Sequence, residues 1–225
     1  MADGTLWLGT RRYSSWSMRG WLLVRLAGLD VEERVVPLAG GGGTAAIQDV
    51  SPSGMVPYLE HRDARVWESL AIAEYCAEQH AALWPADGVQ RAHARSIAAE
   101  MHAGFRALRI AMPMNLGRDR ATMPDATKPD AVVPDAAVRA DIARVEAIWR
   151  AAGGAAGFLC GETFGAADAM FAPIVARLLS YRVALAADSV SYCARVRGHA
   201  LVAEWYDAAA REPVAWRLAR YEDLP

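Results

Sequence analysis

The rhythm of apolar and polar residues changes repeatedly along the chain, and each change marks an element. Thr5 to Thr10 (TLWLGT) is a short apolar run bounded by turn residues and predicts a strand. From Ser15 to Gly28 apolar residues recur at helical spacing, and Val31 to Leu38 alternates as a strand does. The four glycines from Gly40 to Gly43 then break regular structure, because fixing their backbones costs too much entropy. After a short helix, Val56 to His61 and Ala64 to Trp67 predict two strands about an Arg62-Asp63 turn, and Ser69 to His80 returns to helical spacing. The order is β-α-β-α-β-β-α.

Beyond Leu83 to Gly88, a stretch bearing proline and glycine, no strand pattern follows, only alanine-rich helical segments. The first runs from about Val89 to Met112, with Ala98, Met101, Phe105, Leu108 and Met112 on one stripe and Pro113 to end it. Others are predicted at Asp135 to Ala152, Ala166 to Tyr181, Ala200 to Arg211 and after Pro213, with a long proline-bearing loop from Gly117 to Pro134. The pattern divides the chain into an α/β unit over residues 1–82, a linker over 83–88 and an all-helical unit over 89–225.

At 225 residues, against a prior of about 150 per domain, the chain has room for one large domain or two modest ones; two are expected, and the 54% apolar share supplies ample core. The net charge of -2 gives no basic field for nucleic acid or an anionic membrane. Lys128 is the one lysine, so arginine counts carry little weight. Cys76, Cys160 and Cys193 are scattered and show neither a disulfide framework nor metal-ligand spacing, so no metal is expected. The first residues lack a signal pattern and no run reaches the ~20 apolar residues of a membrane span, which predicts a cytoplasmic protein.

Three short segments are candidates for chemistry. Tyr13-Ser14-Ser15-Trp16-Ser17-Met18-Arg19 lies between the first strand and helix, where a serine is ordinarily a helix cap. Ser51-Pro52-Ser53-Gly54-Met55-Val56-Pro57 reads, alone, as a turn. Glu68-Ser69-Leu70-Ala71-Ile72 opens a helix, and both polar residues there also suit capping.

In this order and spacing the three segments resemble the glutathione transferase superfamily. The Ser-Ser-x-Ser-x-Arg pattern followed by Glu-Ser-Leu-Ala-Ile is most similar to the zeta class, and the resemblance covers nearly the whole chain. It implies a thioredoxin-like first domain (βαβαββα), an all-α second domain forming the electrophile site, and a homodimer. It also implies that Ser14, with Ser15 and Ser17 as neighbours, lies beside the glutathione sulfur. Pro57 would be cis, Val56 would pair with the cysteinyl backbone, and Glu68 and Ser69 would grip the γ-glutamyl end. Phe164-Gly165-Ala166-Ala167-Asp168 matches the family's capping box, with Gly165 where Ser or Thr is usual.

The physics of these roles is independent of the resemblance. Lowering a thiol pKa from ~8.5 by about two units takes roughly 2.7 kcal/mol. A hydrogen bond to a charged acceptor supplies about 1.5–3 kcal/mol and a helix N-terminus about 0.3–1. One serine plus one helix dipole suffices, and the start of the third helix suits a carboxylate. His102, Arg106 and Arg109 are candidate contacts for the second substrate, against the plain reading of a helix-packing or solvated face. The tryptophans read as packing.

The function these residues imply is conjugation of glutathione to a small electrophile, as in detoxification. A glutathione-dependent isomerase such as maleylacetoacetate isomerase, and a non-catalytic glutathione-binding module, are the alternatives. For the isomerase, the arginine that the zeta pattern places on the substrate carboxylate falls here on Ser180. Arg177, about 60° away around the helix, is the stand-in.

Overall fold

The computed structural model describes residues 2–40, 43–118 and 134–222. Four strands, β1 (Gly4–Gly9), β2 (Glu32–Val36), β3 (Tyr58–His61) and β4 (Ala64–Trp67), form one sheet in the order β2-β1-β3-β4. β1 runs parallel to β2 and antiparallel to β3, and β3 and β4 form a hairpin. The β1–β2 connection is α1 (Ser15–Leu26), since parallel neighbours need a crossover. A short α2 (Ala45–Gln48) precedes β3, and α3 (Ser69–Gln79) follows β4. Leu6 and Leu8 alternate inward along β1 and are fully buried with Leu59 of β3 beneath α1 and α3.

The helical half comprises α4 (Gly88–Ala103), α5 (Arg106–Ala111), α6 (Ala136–Ala151), α7 (Ala166–Ser180), α8 (Ala187–Gly198), α9 (Ala200–Ala210) and a single turn, α10 (Ala219–Glu222). α7 is its axis, packed against α1, α4 and α8, with only Leu179 exposed. Trp21, Trp149 and Trp205 are buried, and the Trp21 ring packs, tilted by 51°, against that of Trp205 at 5.4 Å across the two halves. Trp67 is the exception among the tryptophans, exposed on edge strand β4.

Two helices differ from the sequence expectation. The single helix expected over Val89–Met112 is broken into α4 and α5: Gly104 caps α4 and Phe105 takes the left-handed conformation (φ 58°, ψ 41°). A β-carbon on Gly104 would stand 2.7 Å from the Glu100 carbonyl oxygen, so glycine is required there. The apolar stripe hid the break, because Met101, Phe105, Leu108 and Met112 are all buried on either side of it. The unexpected helix is α8, whose sequence (ADSVSYCARVRG) is rich in weak helix formers and is held by burying Tyr192, Cys193 and Val196. The loop expected over Gly117 to Pro134 lies mostly outside the described residues.

A glycine inside α1 fixes how the sheet half approaches its cis proline. The Val56–Pro57 peptide is cis, and a β-carbon added to Gly20 would meet Pro57 Cγ at 2.7 Å and Cβ at 2.8 Å. Valine at this position gains little helix propensity, and overpacking costs about 1–3 kcal/mol. Gly20→Val is therefore expected to lower the melting temperature by several degrees, as thermal denaturation would show.

Candidate functional site

The loop after β1 turns into α1 at Ser14, which is the N-cap: its Oγ accepts from Ser17 N at 3.2 Å. The same hydroxyl donates to Ser17 Oγ at 2.8 Å, and Ser17 Oγ accepts from Gly9 N at 2.9 Å. The capping role anticipated for this serine is real, and its one proton is directed at Ser17 Oγ, so donation to a ligand requires the hydroxyl to rotate off Ser17. Ser15, half-buried, has a different partner: Nη2 of Arg177, on α7, donates to its Oγ at 3.2 Å. With that lone pair taken, the Ser15 hydroxyl proton remains free to donate. Ser17 is wholly buried, so Ser14 and Ser15 are the hydroxyls that reach open space.

That space is a cleft of about 270 Å³ where the two halves meet. One wall is the 13–16 segment, another is Met55 and Val56, and Leu218 and Tyr221 close it from the C-terminal side. Val56 precedes the cis proline and its backbone makes no bond among the described residues, so its N–H and C=O are available to an extended ligand. Tyr13, although it lines the cleft, is committed: its hydroxyl donates to Glu222 and accepts from Leu218 N at 3.1 Å. Burial and that bond to Glu222 push its pKa up to about 12.

Glu68 and Ser69 stand at the N-terminus of α3, outside the lining of that cleft. Neither caps the helix as the sequence suggested. Glu68 makes no cap bond and holds a strained backbone (φ 73°), and Ser69 is buried with its Oγ unpartnered. An orphaned buried hydroxyl in the first turn of a helix leaves a donor without an acceptor, where the helix N-terminus also favours an anion.

Of the candidates for the second substrate, His102 does face the sheet half, its Nε2 3.4 Å from Glu68 Oε2. Burial lowers the pKa of His102, with Glu68 opposing, so this contact at neutral pH is not an ion pair. Arg109 folds back onto the carbonyls of Met101 and His102, closing the end of α4. Arg106 is exposed on α5 and touches none of the site residues, because the break at Phe105 turns its position away from the stripe. Ser180 is buried, its Oγ 3.5 Å from the Asn115 carbonyl, while Arg177 is the residue of α7 that reaches the 13–16 segment. No group of His, Cys, Asp or Glu among the described residues is placed to hold a metal.

One group of residues was not singled out in the sequence, and one residue took a place beyond the role expected of it. A strap over residues 212–222 grips the loop before α1: Glu212 accepts from Arg11 N at 2.6 Å and Arg12 N at 3.1 Å, and Glu222 takes both Nε and Nη2 of Arg12. Asn115 joins them, donating to the Tyr221 carbonyl at 2.9 Å. Nothing in a local pattern pairs residues 200 positions apart. The residue is Arg177, expected only as a stand-in beside Ser180: it is the one cation in the otherwise apolar run from Ala169 to Leu179, and its bond to Ser15 was not foreseen.

Comparison with known families decides the identity of this arrangement. The model described as "Glutathione S-transferase, N-terminal domain" matches residues 13–79, and "Glutathione S-transferase, C-terminal domain" matches residues 134–208.

The chain belongs to the glutathione S-transferase family.

A relative among curated proteins is a probable maleylacetoacetate isomerase of Caenorhabditis elegans, 32% identical over 100 residues. That match takes in 44% of this chain and 46% of the relative, so the chain spans less than half the length of the curated relative it matches. Among solved structures, a glutathione transferase homologue of Burkholderia gl BGR1 with bound glutathione is similar at 22% identity and a TM-score of 0.66, covering 93% of this chain and 99% of that one. A theta class glutathione S-transferase of Xanthomonas axonopodis pv. citri, also with glutathione bound, is similar at 23% identity and a TM-score of 0.61, covering 95% and 100%. At these identities the likeness carries the glutathione S-transferase fold: a small mixed sheet with its helices, then a helical half. Among the described residues no helix is long and apolar enough to cross a membrane.

Proposed function

We propose that this glutathione S-transferase binds glutathione across the cleft, ionises its thiol at the start of α1 and transfers it to an electrophilic carbon. The observation that carries the reading is the pair of hydroxyls, Ser14 and Ser15, at a helix N-terminus facing the free backbone of Val56. The cysteinyl backbone pairs with Val56 beside Pro57, and the γ-glutamyl carboxylate meets the Ser69 hydroxyl and the first N–H groups of α3. Glu68 receives the ammonium. The thiol proton leaves to solvent, and the thiolate accepts from the Ser15 hydroxyl and from that of Ser14 once it turns from Ser17 Oγ. The sulfur then forms a bond to carbon as a leaving group departs with its electron pair.

Ser14→Ala is expected to keep glutathione affinity within a few-fold while raising the bound thiol pKa. Loss of the cap also costs about 1 kcal/mol of stability. Thiolate absorbance against pH tests it; a titration unmoved in Ser14→Ala but shifted in Ser15→Ala would transfer the principal role to Ser15.

The second reading is the isomerase, favoured by the Caenorhabditis elegans relative. In it the thiolate adds to a conjugated double bond and is later expelled unchanged. With Ser180 at the position of the zeta-pattern arginine, we propose poor isomerisation beside good turnover of a halogenated aromatic. A direct comparison of the two substrates decides, and efficient isomerisation would reverse the ranking. A cytoplasmic homodimer belongs to the same proposal; light scattering at the monomer mass of 24.3 kDa would remove the dimer.

A further inference from the structure

Arg177 is buried in α7 with an incomplete set of partners. Nη1 donates to the Met112 carbonyl at 2.5 Å and Nη2 to Ser15 Oγ at 3.2 Å, while Nε has no partner. No carboxylate among the described residues pairs with it. The charged groups around it are mostly of its own sign: Arg109 on α5, and Arg19 on α1, itself buried with Nε and Nη1 unpartnered. Tyr181 beyond its own helix and Tyr221 on α10 also face it. Glu68 and His102 act on Arg19, and Asp141 on Arg109. Burial and Arg109 bring the pKa of Arg177 down to about 10, which leaves it cationic at neutral pH. An uncompensated buried guanidinium works against the fold, and replacing such charges by apolar side chains of similar size is often neutral or stabilising.

Its one side-chain bond goes to a serine that lines the cleft. A cation on the Oγ lone pair polarises that hydroxyl and leaves its proton to point outward, and positive charge one hydroxyl behind the wall favours an anion in front of it. We propose that Arg177 is a positioning residue for thiol activation: through Ser15 it supplies a second, polarised hydrogen bond to the glutathione sulfur and holds the bound thiol ionised. The inference rests on the glutathione reading above. The balance is simple: the S–H proton goes to solvent, and the sulfur accepts the Ser15 O–H without any proton passing to Arg177.

The experiment uses the full chain with Arg177→Met and Arg177→Lys, measuring glutathione binding by calorimetry, bound thiolate by ultraviolet absorbance against pH, and thermal melting. Arg177→Met is expected to melt within a few degrees of the parent and bind glutathione within about threefold. Its bound thiol pKa should rise by about one unit, cutting the thiolate-to-thiol ratio about tenfold and, from a bound pKa of ~6.5, the thiolate at pH 7 about threefold. Arg177→Lys should recover half or more of that shift, since the charge returns without the fork. A titration unchanged in a folded, glutathione-binding Arg177→Met overturns the proposal, as does a large fall in melting temperature with the titration unmoved. Should Arg177→Met not fold, Ser15→Ala reads the same link, and an unshifted thiol pKa there overturns it equally. A parent protein that binds no glutathione would instead fail at the first measurement and remove the underlying function.

Discussion

Asp168→Ala is expected to lower stability by about 3 kcal/mol at pH 7, a fall of about 10 °C in melting temperature for a chain of this size. Three donors, two of them buried, converge on this carboxylate: Leu159 N at 3.0 Å, the half-buried Gly165 N at 3.0 Å and the Tyr192 hydroxyl at 2.8 Å. Orphaning them costs about 1–3 kcal/mol each. Against that loss stands the relief of a fully buried charge, since burial raises the pKa of Asp168 from 3.8 to about 6 despite the three donors. That shift of roughly two units corresponds to about 3 kcal/mol, so the orphaned donors win by a similar amount. The pH dependence has a definite sign. The folded chain holds the Asp168 proton more tightly than the unfolded one, so this group's contribution is complete below about pH 4 and is lost as pH rises through 6. In Asp168→Asn that slope should vanish. Urea midpoints across this pH range check both statements, and an unchanged midpoint in Asp168→Ala would mean that water replaces the carboxylate at little cost.

Ser69→Ala should behave in the opposite way, leaving the free protein intact and weakening glutathione by about 1–3 kcal/mol, or roughly five- to 150-fold in Kd. In the free chain the Ser69 Oγ is buried without a partner, so alanine removes a polar group that contributes no bond. In the proposed complex the same hydroxyl donates to the γ-glutamyl carboxylate, and its loss leaves one end of a charge-assisted bond unmade. Calorimetry on a variant shown to melt like the parent measures it. Equal affinity in the two proteins would move the γ-glutamyl group away from α3.

The strand and helix order of the sheet half was legible because β1, β2 and α1 differ in period and are separated by glycine and proline. The break at Gly104-Phe105 was not, since it preserves the side on which apolar residues fall. α8 escaped for a related reason: its helical state comes from Tyr192 and Cys193 packing on α7, a tertiary effect that overrides weak propensity. The motif around Ser14 and Glu68 could be read from residue types at fixed spacing. Capping was the bland expectation at both places, and it holds at Ser14 but not at Glu68 or Ser69. The bond from Arg177 to Ser15 spans 162 residues, and helical spacing could set Arg177 beside Ser180 but could not say what its guanidinium reaches across the fold.

The grip of the strap on the 11–13 loop also has a consequence in time. Tyr13 and Glu222 are separated by 209 positions, and Arg11 and Arg12 wait as long for Glu212. On a ribosome adding about 5–20 residues per second, some 10–40 s pass between the emergence of that loop and that of its partners. The sheet half can collapse during that interval, while the backbone donors of Arg11 and Arg12 remain bonded to water. The segment that leads into α1 therefore takes its final form as one of the last events of folding. A nascent or cleaved chain stopped before Glu212 would carry the serines without the contacts that fix the loop ahead of them.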